Sequence, residues 1–166
     1  MEKERKYLLQ GDIIAKKLKR LALEIIENNL DEKELIFVGI QNTGVIVAKW
    51  LQKLINKQSD LKIELLTMKM DKQAPDDINL SKKMDFDNKS IIIIDDVINS
   101  GKTLLYAVKP FLEYHPKKVR TLVLVERSHA LFPVGANYKG VSLATTLQEK
   151  IVVDVEGERI VGVYLS

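Results

Sequence analysis

Two adjacent carboxylates, Asp95 and Asp96, directly follow four consecutive isoleucines. The isoleucine run predicts a buried strand, and carboxylates are costly to bury unless they are paired or hydrogen-bonded. We therefore expect both side chains to face a crevice at the end of that strand. There they could accept hydrogen bonds from the vicinal hydroxyls of a sugar, or approach a metal ion through water.

A polar loop, residues 99–103, comes shortly after the carboxylates and leads into a predicted helix. Backbone N–H groups at the start of a helix, with the hydroxyls of Ser100 and Thr103 beside them, suit a phosphate monoester. Carboxylates for a sugar and amides for its phosphate on one loop predict a site for a ribose 5-phosphate. The spacing of a Walker loop, GxxxxGK[ST], is absent.

Strand and helix patterns alternate along the chain. We expect strands at 35–40, 62–67, 90–95 and 119–125, helices at 12–29, after 44 and after 102, and a terminal hairpin of 151–155 and 160–164. This alternation predicts a single α/β domain over residues 1–166, with a doubly wound, mostly parallel sheet. Ligands of such sheets bind beyond the carboxyl ends of the strands, where residues 41–44 and 95–103 both fall.

Two segments show little periodicity. Residues 68–89 carry many charges and Pro75, and a loop of that length inside a domain is usually functional, so we predict a mobile loop. Residues 127–149 contain Pro133, Gly135 and Gly140, and we expect them to be irregular.

Composition excludes several classes of protein. The net charge of +3 is too small to imply nucleic acid, and the absence of cysteine excludes disulfides and thiolate metal sites. No apolar run reaches the length of a signal peptide or a membrane span. We expect a soluble, cytoplasmic protein without a membrane partner.

Residues 90–103 resemble the signature with which type I phosphoribosyltransferases bind phosphoribosyl pyrophosphate (PRPP). Both have a hydrophobic strand, two acids, a hydrophobic pair and a Thr/Ser-Gly-x-Thr loop. Residues 39–48, 123–140 and the terminal hairpin extend the resemblance to the PyrR family of bacterial pyrimidine-operon regulators, which also have uracil phosphoribosyltransferase activity. The resemblance implies the type I fold, with a small C-terminal hood at 127–149 and a hairpin.

The resemblance also implies a role for each loop. Asp95 and Asp96 would be catalytic and would hold the ribose hydroxyls and Mg²⁺. The start of the mobile loop has no clear match to the family's usual residues, and Lys69 or Lys72 could supply a catalytic point charge there. Arg127 and Thr145 would contact the base. Residues 41–44 would form a pyrophosphate loop, which in this family often contains a non-proline cis peptide. The implied PRPP-binding residues are Gln41, Asn42, Thr43, Gly44, Asp95, Asp96, Asn99, Ser100, Gly101, Lys102 and Thr103.

The chain departs from the family at two of these positions. Thr43 stands where PyrR proteins usually carry an arginine, which removes a charge-assisted contact to pyrophosphate. Asn99 stands where purine-using relatives often place an aspartate, and an amide cannot act as a general base. The alternative reading of Arg127 is a surface salt bridge with Glu126 or Asp154.

Three hypotheses follow. The first is an Mg²⁺-dependent enzyme that transfers phosphoribosyl from PRPP to a nucleobase, with uracil expected. The second is a PRPP- or nucleotide-sensing regulator of pyrimidine genes with little catalysis, and the third is an unrelated α/β ligand-binding protein. RNA binding is left open, since Arg20 and His129 match basic positions of the RNA-facing region whereas Gly135 stands where an arginine is usual. We expect a homodimer or a higher homo-oligomer.

Overall fold

The computed structural model describes residues 5–71, 73–144 and 149–166, which form nine strands and three α-helices. The strands are β1 (Tyr7–Gln10), β2 (Glu34–Ile40), β3 (Lys62–Met70), β4 (Ile78–Leu80), β5 (Ser90–Ile98), β6 (Lys118–Arg127), β7 (Tyr138–Leu143), β8 (Ile151–Glu156) and β9 (Arg159–Leu165). The helices are α1 (Gly11–Asn28), α2 (Thr43–Gln58) and α3 (Lys102–Ala107), followed by a 3₁₀ helix, Lys109–Glu113.

Six of these strands form the main sheet, in the order β4-β3-β2-β5-β6-β7. All neighbours are parallel except β4, which runs antiparallel to β3. Leu35 and Phe37 of β2 pack with α1 and α2 on one face, and Ile36 and Val38 belong to the core on the opposite face, beside α3 and the 3₁₀ helix. The predicted doubly wound, mostly parallel α/β fold is therefore confirmed.

Strand β5 lies in the middle of this sheet, which explains its run of isoleucines. Ile91 and Ile93 enter one core and Ile92 and Ile94 enter the other, because successive side chains of a strand point to opposite faces. All four are at most 2% exposed. The strand continues past the run to Ile98, so Asp95 and Asp96 lie within its carboxyl end.

A second sheet contains the predicted terminal hairpin, in the order β1-β9-β8. The Tyr7 hydroxyl donates a hydrogen bond of 2.7 Å to Asp154, and Arg5 pairs with the same carboxylate at 3.0 Å. The Arg5 guanidinium also lies 5.0 Å from the centroid of the Tyr164 ring. These contacts attach the N-terminal strand to both strands of the hairpin.

Residues 68–89 are more regular than the sequence predicts. Strand β3 continues to Met70, β4 pairs with it, and Phe86 is buried with its ring centroid 4.9 Å from that of Phe111. Irregular backbone is limited to residues 71, 73–77 and 81–89 of the described part. Mobility of this segment stays a prediction.

Residues 127–149 also contain a regular element, which corrects the expectation of an irregular segment. Residues 138–143 form β7, which pairs in parallel with β6 and closes one edge of the main sheet. The link before it, residues 128–137, is irregular as expected. Whether this region covers a base stays a prediction.

A groove of about 290 Å³ separates α2 from the turn of the hairpin. Trp50 of α2 lines it together with Glu158 and Arg159 of the turn, and Lys49 reaches to 4.0 Å from Glu158.

Among the described residues, no helix has both the length and the apolar character needed to cross a bilayer.

Candidate functional site

A cavity of about 440 Å³ opens at the carboxyl end of β5, between the main sheet and the hairpin. Most of the predicted phosphate loop and both carboxylates face it. Its lining consists of Thr43, Asp95, Asp96, Val97, Ile98, Asn99, Ser100, Gly101, Thr103, Leu104, Lys150, Ile151, Val152 and Val153.

The two carboxylates are buried in the wall of this cavity, with Asp95 1% and Asp96 9% exposed. The N–H of Asp96 donates to Oδ1 of Asp95, and the N–H of Val97 donates to Oδ1 of Asp96, each at 2.8 Å. Each carboxylate thus has one oxygen held by the following backbone amide. These bonds offset part of the cost of burial and fix the side chains at the end of the strand.

The predicted phosphate loop turns sharply at Gly101, whose φ of +89° lies in the left-handed region. A Cβ atom there would lie 2.9 Å from Cγ1 of Val134, so this position requires glycine for two reasons. The Ser100 hydroxyl accepts a hydrogen bond of 3.2 Å from the N–H of Lys102. The Ser100 carbonyl accepts one of 2.9 Å from the N–H of Phe132, so the link after β6 supports the loop from behind.

The predicted pyrophosphate loop, residues 41–44, lies beside this cavity. Its Gln41–Asn42 peptide bond is cis, as the resemblance implies. Of the four residues, Thr43 alone lines the cavity. Gly44 packs against β5 so closely that a Cβ atom would lie 2.5 Å from the carbonyl oxygen of Ile94. This contact brings the start of α2 against the strand that carries the carboxylates.

The hairpin forms a wall of the cavity that the sequence does not predict. Lys150, Ile151, Val152 and Val153 all line it. The side chain of Asn99 holds this wall through a reciprocal pair of hydrogen bonds. Its Nδ2 donates to the Ile151 carbonyl at 3.3 Å, and its Oδ1 accepts from the Ile151 N–H at 3.2 Å. A contact between residues so far apart in the chain leaves no local pattern in the sequence.

Other predicted site residues lie outside the cavity lining. Lys69 is an exposed residue of β3 that pairs in register with Asn79 of β4, and Lys102 and Arg127 also do not line the cavity. Thr145 falls outside the described residues.

Arg127 does not form the salt bridge considered from the sequence. Its Nη2 donates to the carbonyl of Glu149, and its Nε is buried without a hydrogen-bond partner among the described residues. Glu126 instead pairs with Lys139 at 2.8 Å and accepts the Ala136 N–H at 2.9 Å. Burial raises the pKa of Glu126, but these two partners outweigh it and hold the pKa below its ordinary value.

The donors around the cavity fit Mg²⁺ only in combination with a ligand. The described residues contain no group of three or more histidine, cysteine or acidic side chains that could hold a metal ion by themselves. Mg²⁺ is commonly bound through one or two carboxylates together with substrate phosphates and water. Asp95 and Asp96 at the cavity wall match that requirement.

The sequence is similar to two curated proteins over nearly its whole length. The bifunctional protein PyrR of Clostridium novyi is 33% identical over 158 residues, which cover 89% of each chain. The pyrimidine operon regulatory protein of Lactococcus lactis subsp. lactis is 32% identical over 157 residues, 91% of this chain and 90% of that one.

Solved structures share the fold. The hypoxanthine phosphoribosyltransferase of Trypanosoma cruzi superposes with a TM-score of 0.80 at 14% identity, over 97% of both chains. A hypoxanthine-guanine phosphoribosyltransferase from Bacillus anthracis gives 0.75 at 22% identity, over 96% of this chain and 98% of that one. At these identities the likeness shows the fold alone, and it confirms the predicted phosphoribosyltransferase fold.

A family model described as the phosphoribosyl transferase domain matches residues 4–157. Because this match spans most of the chain and agrees with both the curated relatives and the fold, the chain belongs to the phosphoribosyl transferase domain family, within which it is similar to the PyrR proteins.

Proposed function

We propose that this protein transfers the phosphoribosyl group of PRPP to a nucleobase, with uracil as the expected acceptor, in the cytoplasm. The observation that carries the proposal is the single cavity lined by Asp95, Asp96 and the 99–101 loop. The family match and the name of the Clostridium novyi relative, bifunctional protein PyrR, support the same reaction class.

The buried carboxylates would bind the ribose of PRPP. Carboxylate oxygens accept hydrogen bonds, and the vicinal hydroxyls of a ribose are matching donors. The hydroxyls of Ser100 and Thr103 and the amides of the loop would bind the 5′-phosphate. A ligand held at both its sugar and its phosphate has its C1 atom fixed in position, which lowers the entropic part of the barrier.

In the reaction, the bond between C1 of the ribose and a pyrophosphate oxygen breaks, and a bond from C1 to a base nitrogen forms. That nitrogen loses its proton, which the departing pyrophosphate can take up. Positive charge spreads over the ribose as the leaving group departs, so the nearby carboxylates stabilise the transition state. The hairpin wall limits the access of water, which would otherwise react at C1. Asp95 and Asp96 would also hold Mg²⁺, whose contribution when bound is to neutralise charge on pyrophosphate.

A PRPP-sensing regulator with little catalysis is the second candidate. Thr43 favours it, because an arginine contact to the leaving group is missing, and so does the name of the Lactococcus relative, pyrimidine operon regulatory protein.

RNA binding has less support. Nη2 of Arg20 donates to the carbonyls of Lys139 and Gly140 at 2.8 and 2.9 Å, and its Nε pairs with Glu24. These intramolecular contacts would compete with an RNA phosphate for the guanidinium.

A panel of bases tests the proposed reaction. The protein is incubated with PRPP, Mg²⁺ and one of uracil, hypoxanthine, guanine, adenine or orotate, and release of pyrophosphate is followed. We expect turnover with uracil above the other four. Binding of PRPP without turnover of any base would refute the enzyme hypothesis and leave the PRPP-sensing regulator. Light scattering of the same sample measures its oligomeric state and so tests the proposed homo-oligomer.

The double substitution Asp95→Asn and Asp96→Asn tests the site. We expect a folded protein that no longer binds PRPP and Mg²⁺ in calorimetry, because neutral amides replace both carboxylates. The matched control is Asp12→Asn with Asp60→Asn, since both acids are exposed and neither lines the cavity. Unchanged affinity in the folded double variant would refute the assignment of the site.

A further inference from the structure

The cavity contains one cationic side chain among the described residues that line it, and it is Lys150. The sequence offered Lys69 or Lys72 of the mobile loop as a point charge, but Lys69 does not line the cavity and Lys72 lies outside the described residues. Lys150 and Thr43 both do. The hairpin thus brings a positive charge to the cavity in which the pyrophosphate loop lacks one.

The backbone around Lys150 is held on both sides. Its N–H donates to the carbonyl of Ser166 and its carbonyl accepts from the Ser166 N–H, each at 3.0 Å. The next residue, Ile151, is bound by both polar atoms of the Asn99 side chain. Since Asn99 belongs to the same loop as Ser100, the position of Lys150 is fixed relative to the phosphate loop.

The side chain of Lys150 is available to a ligand. It is exposed, and no carboxylate among the described residues lies within ion-pair distance of its ammonium group. A lysine has a flexible stem that ends in a compact charge with three donors, so it can follow a phosphate group over several ångströms.

We propose that Lys150 is a ligand-binding residue that supplies the cationic contact to the phosphate groups of PRPP which Thr43 does not supply. This inference rests on the proposed function, because it takes PRPP as the ligand. The charges are complementary, since PRPP carries a 5′-phosphate and a pyrophosphate while the other ionisable groups in the lining are the two carboxylates. Without Lys150, every ionisable side chain among the described lining residues would be acidic.

Calorimetry with PRPP and Mg²⁺ tests the inference with three variants. Lys150→Met removes the charge and keeps the length of the stem, and we expect about tenfold weaker binding, typical of one lost charge-assisted hydrogen bond. Lys150→Arg keeps the charge and should restore affinity to within about threefold of wild type. Lys57→Met, in the last turn of α2 and away from the cavity, is the control and should bind like wild type. Thermal melting confirms that each variant is folded.

The same titrations at different ionic strengths, and with fragments of PRPP, test whether the contact is ionic and which phosphate it involves. The ratio of wild-type to Lys150→Met affinity should fall as ionic strength rises, because an exposed charge contact is screened. Repeating the titration with inorganic pyrophosphate and with ribose 5-phosphate identifies which phosphate the ammonium contacts. Equal PRPP affinity of wild type and Lys150→Met overturns the role of Lys150 and leaves the proposed function intact. A wild type that binds no PRPP overturns both.

Discussion

The chemistry of the site depends on single positions, and position 43 separates the two candidate functions. A threonine there offers a neutral hydroxyl to the cavity, whereas an arginine offers two parallel donors and a permanent charge. The side chain is partly exposed at the first turn of α2, so a longer one can extend into the cavity without disturbing Gly44, whose packing against β5 fixes the loop.

We predict that Thr43→Arg raises the rate of phosphoribosyl transfer about ten- to a hundredfold. A hydrogen bond to a charged group is worth roughly 1.5–3 kcal/mol, and each 1.36 kcal/mol removed from the barrier is about tenfold in rate. The gain should appear in kcat more than in PRPP affinity, because negative charge on the leaving group grows toward the transition state. Steady-state kinetics with PRPP and uracil measures both.

Thr43→Gln is the control for this substitution, since it adds length and donors without charge, and it should stay close to wild type. If wild type is already fast and Thr43→Arg is neutral or slower, the positive charge at Lys150 suffices for the reaction. In that event the double variant Thr43→Arg with Lys150→Met should recover what Lys150→Met loses.

At the scale of elements, the site is a junction of three pieces: the end of β5, the start of α2 and the start of β8. The reciprocal bonds of Asn99 with Ile151 join the first to the last. An aspartate could accept the Ile151 N–H but could not donate to its carbonyl, and its charge would face that carbonyl oxygen.

We therefore predict that Asn99→Asp lowers the free energy of unfolding by about 1–3 kcal/mol and weakens PRPP binding. The reason is that the half-buried carbonyl of Ile151 loses its hydrogen-bond donor. Asn137→Asp is a matched control. The Oδ1 of Asn137 accepts the Thr121 N–H at 3.0 Å, and a carboxylate keeps that bond. Denaturant unfolding and PRPP calorimetry of both variants provide the measurements. Equal stability and equal affinity of Asn99→Asp and wild type would show that the bonds do not hold the wall.

The segment between β3 and β5 has irregular backbone on both sides of β4. Amides of residues 73, 74, 76, 77 and 82–85 should exchange hydrogen quickly in the free protein, since these stretches have irregular backbone and mostly exposed side chains. PRPP should slow this exchange if the segment closes over the ligand. Hydrogen exchange by mass spectrometry checks both, with β2 as the protected reference. Strong protection of these amides without ligand would contradict the mobile-loop prediction.

Local patterns predicted the parts of the fold that depend on neighbours in sequence. The isoleucine run located β5, and the polar loop after it located a segment that lines the cavity. Strands β1, β4 and β7 were missed because each is short or contains a glycine, and each is stabilised by pairing with another strand, which no local pattern shows. Lys150 was missed for the same reason, since its place in the cavity depends on the hairpin.

Across the whole molecule from the cavity, an ion pair and a hydrogen bond connect the amino-terminal starts of β5 and β6 to the turn after α1. Glu32 accepts a hydrogen bond of 2.8 Å from the Ser90 hydroxyl and pairs with Lys117 at 2.7 Å. Its side chain is 12% exposed. The hydrogen bond from Lys117, followed by that from Ser90, lowers the pKa of Glu32.

We predict that Glu32→Gln lowers the free energy of unfolding by about 1 kcal/mol near pH 7, and by less in acid. A carboxylate whose folded pKa is lowered stabilises the protein above its unfolded pKa, and this contribution is lost as the pH falls through the folded pKa. The difference between wild type and variant should thus be complete above 4.5, the ordinary value for glutamate, and shrink below it. Urea unfolding across that range measures it. A difference that does not change with pH would contradict the role of the charge.

The groove between α2 and the hairpin turn contains a natural fluorescent probe, the indole of Trp50. Trp50 is the only tryptophan, so intrinsic indole emission comes from one place, beside Glu158 and Arg159. Those two residues end the same hairpin whose other end, at Lys150, faces the cavity. Displacement of the hairpin on ligand binding would change the surroundings of the indole, and the absence of cysteine lets a single introduced thiol at Glu158 carry an acceptor dye. Motion of the wall is therefore measurable in solution without altering any residue of the cavity.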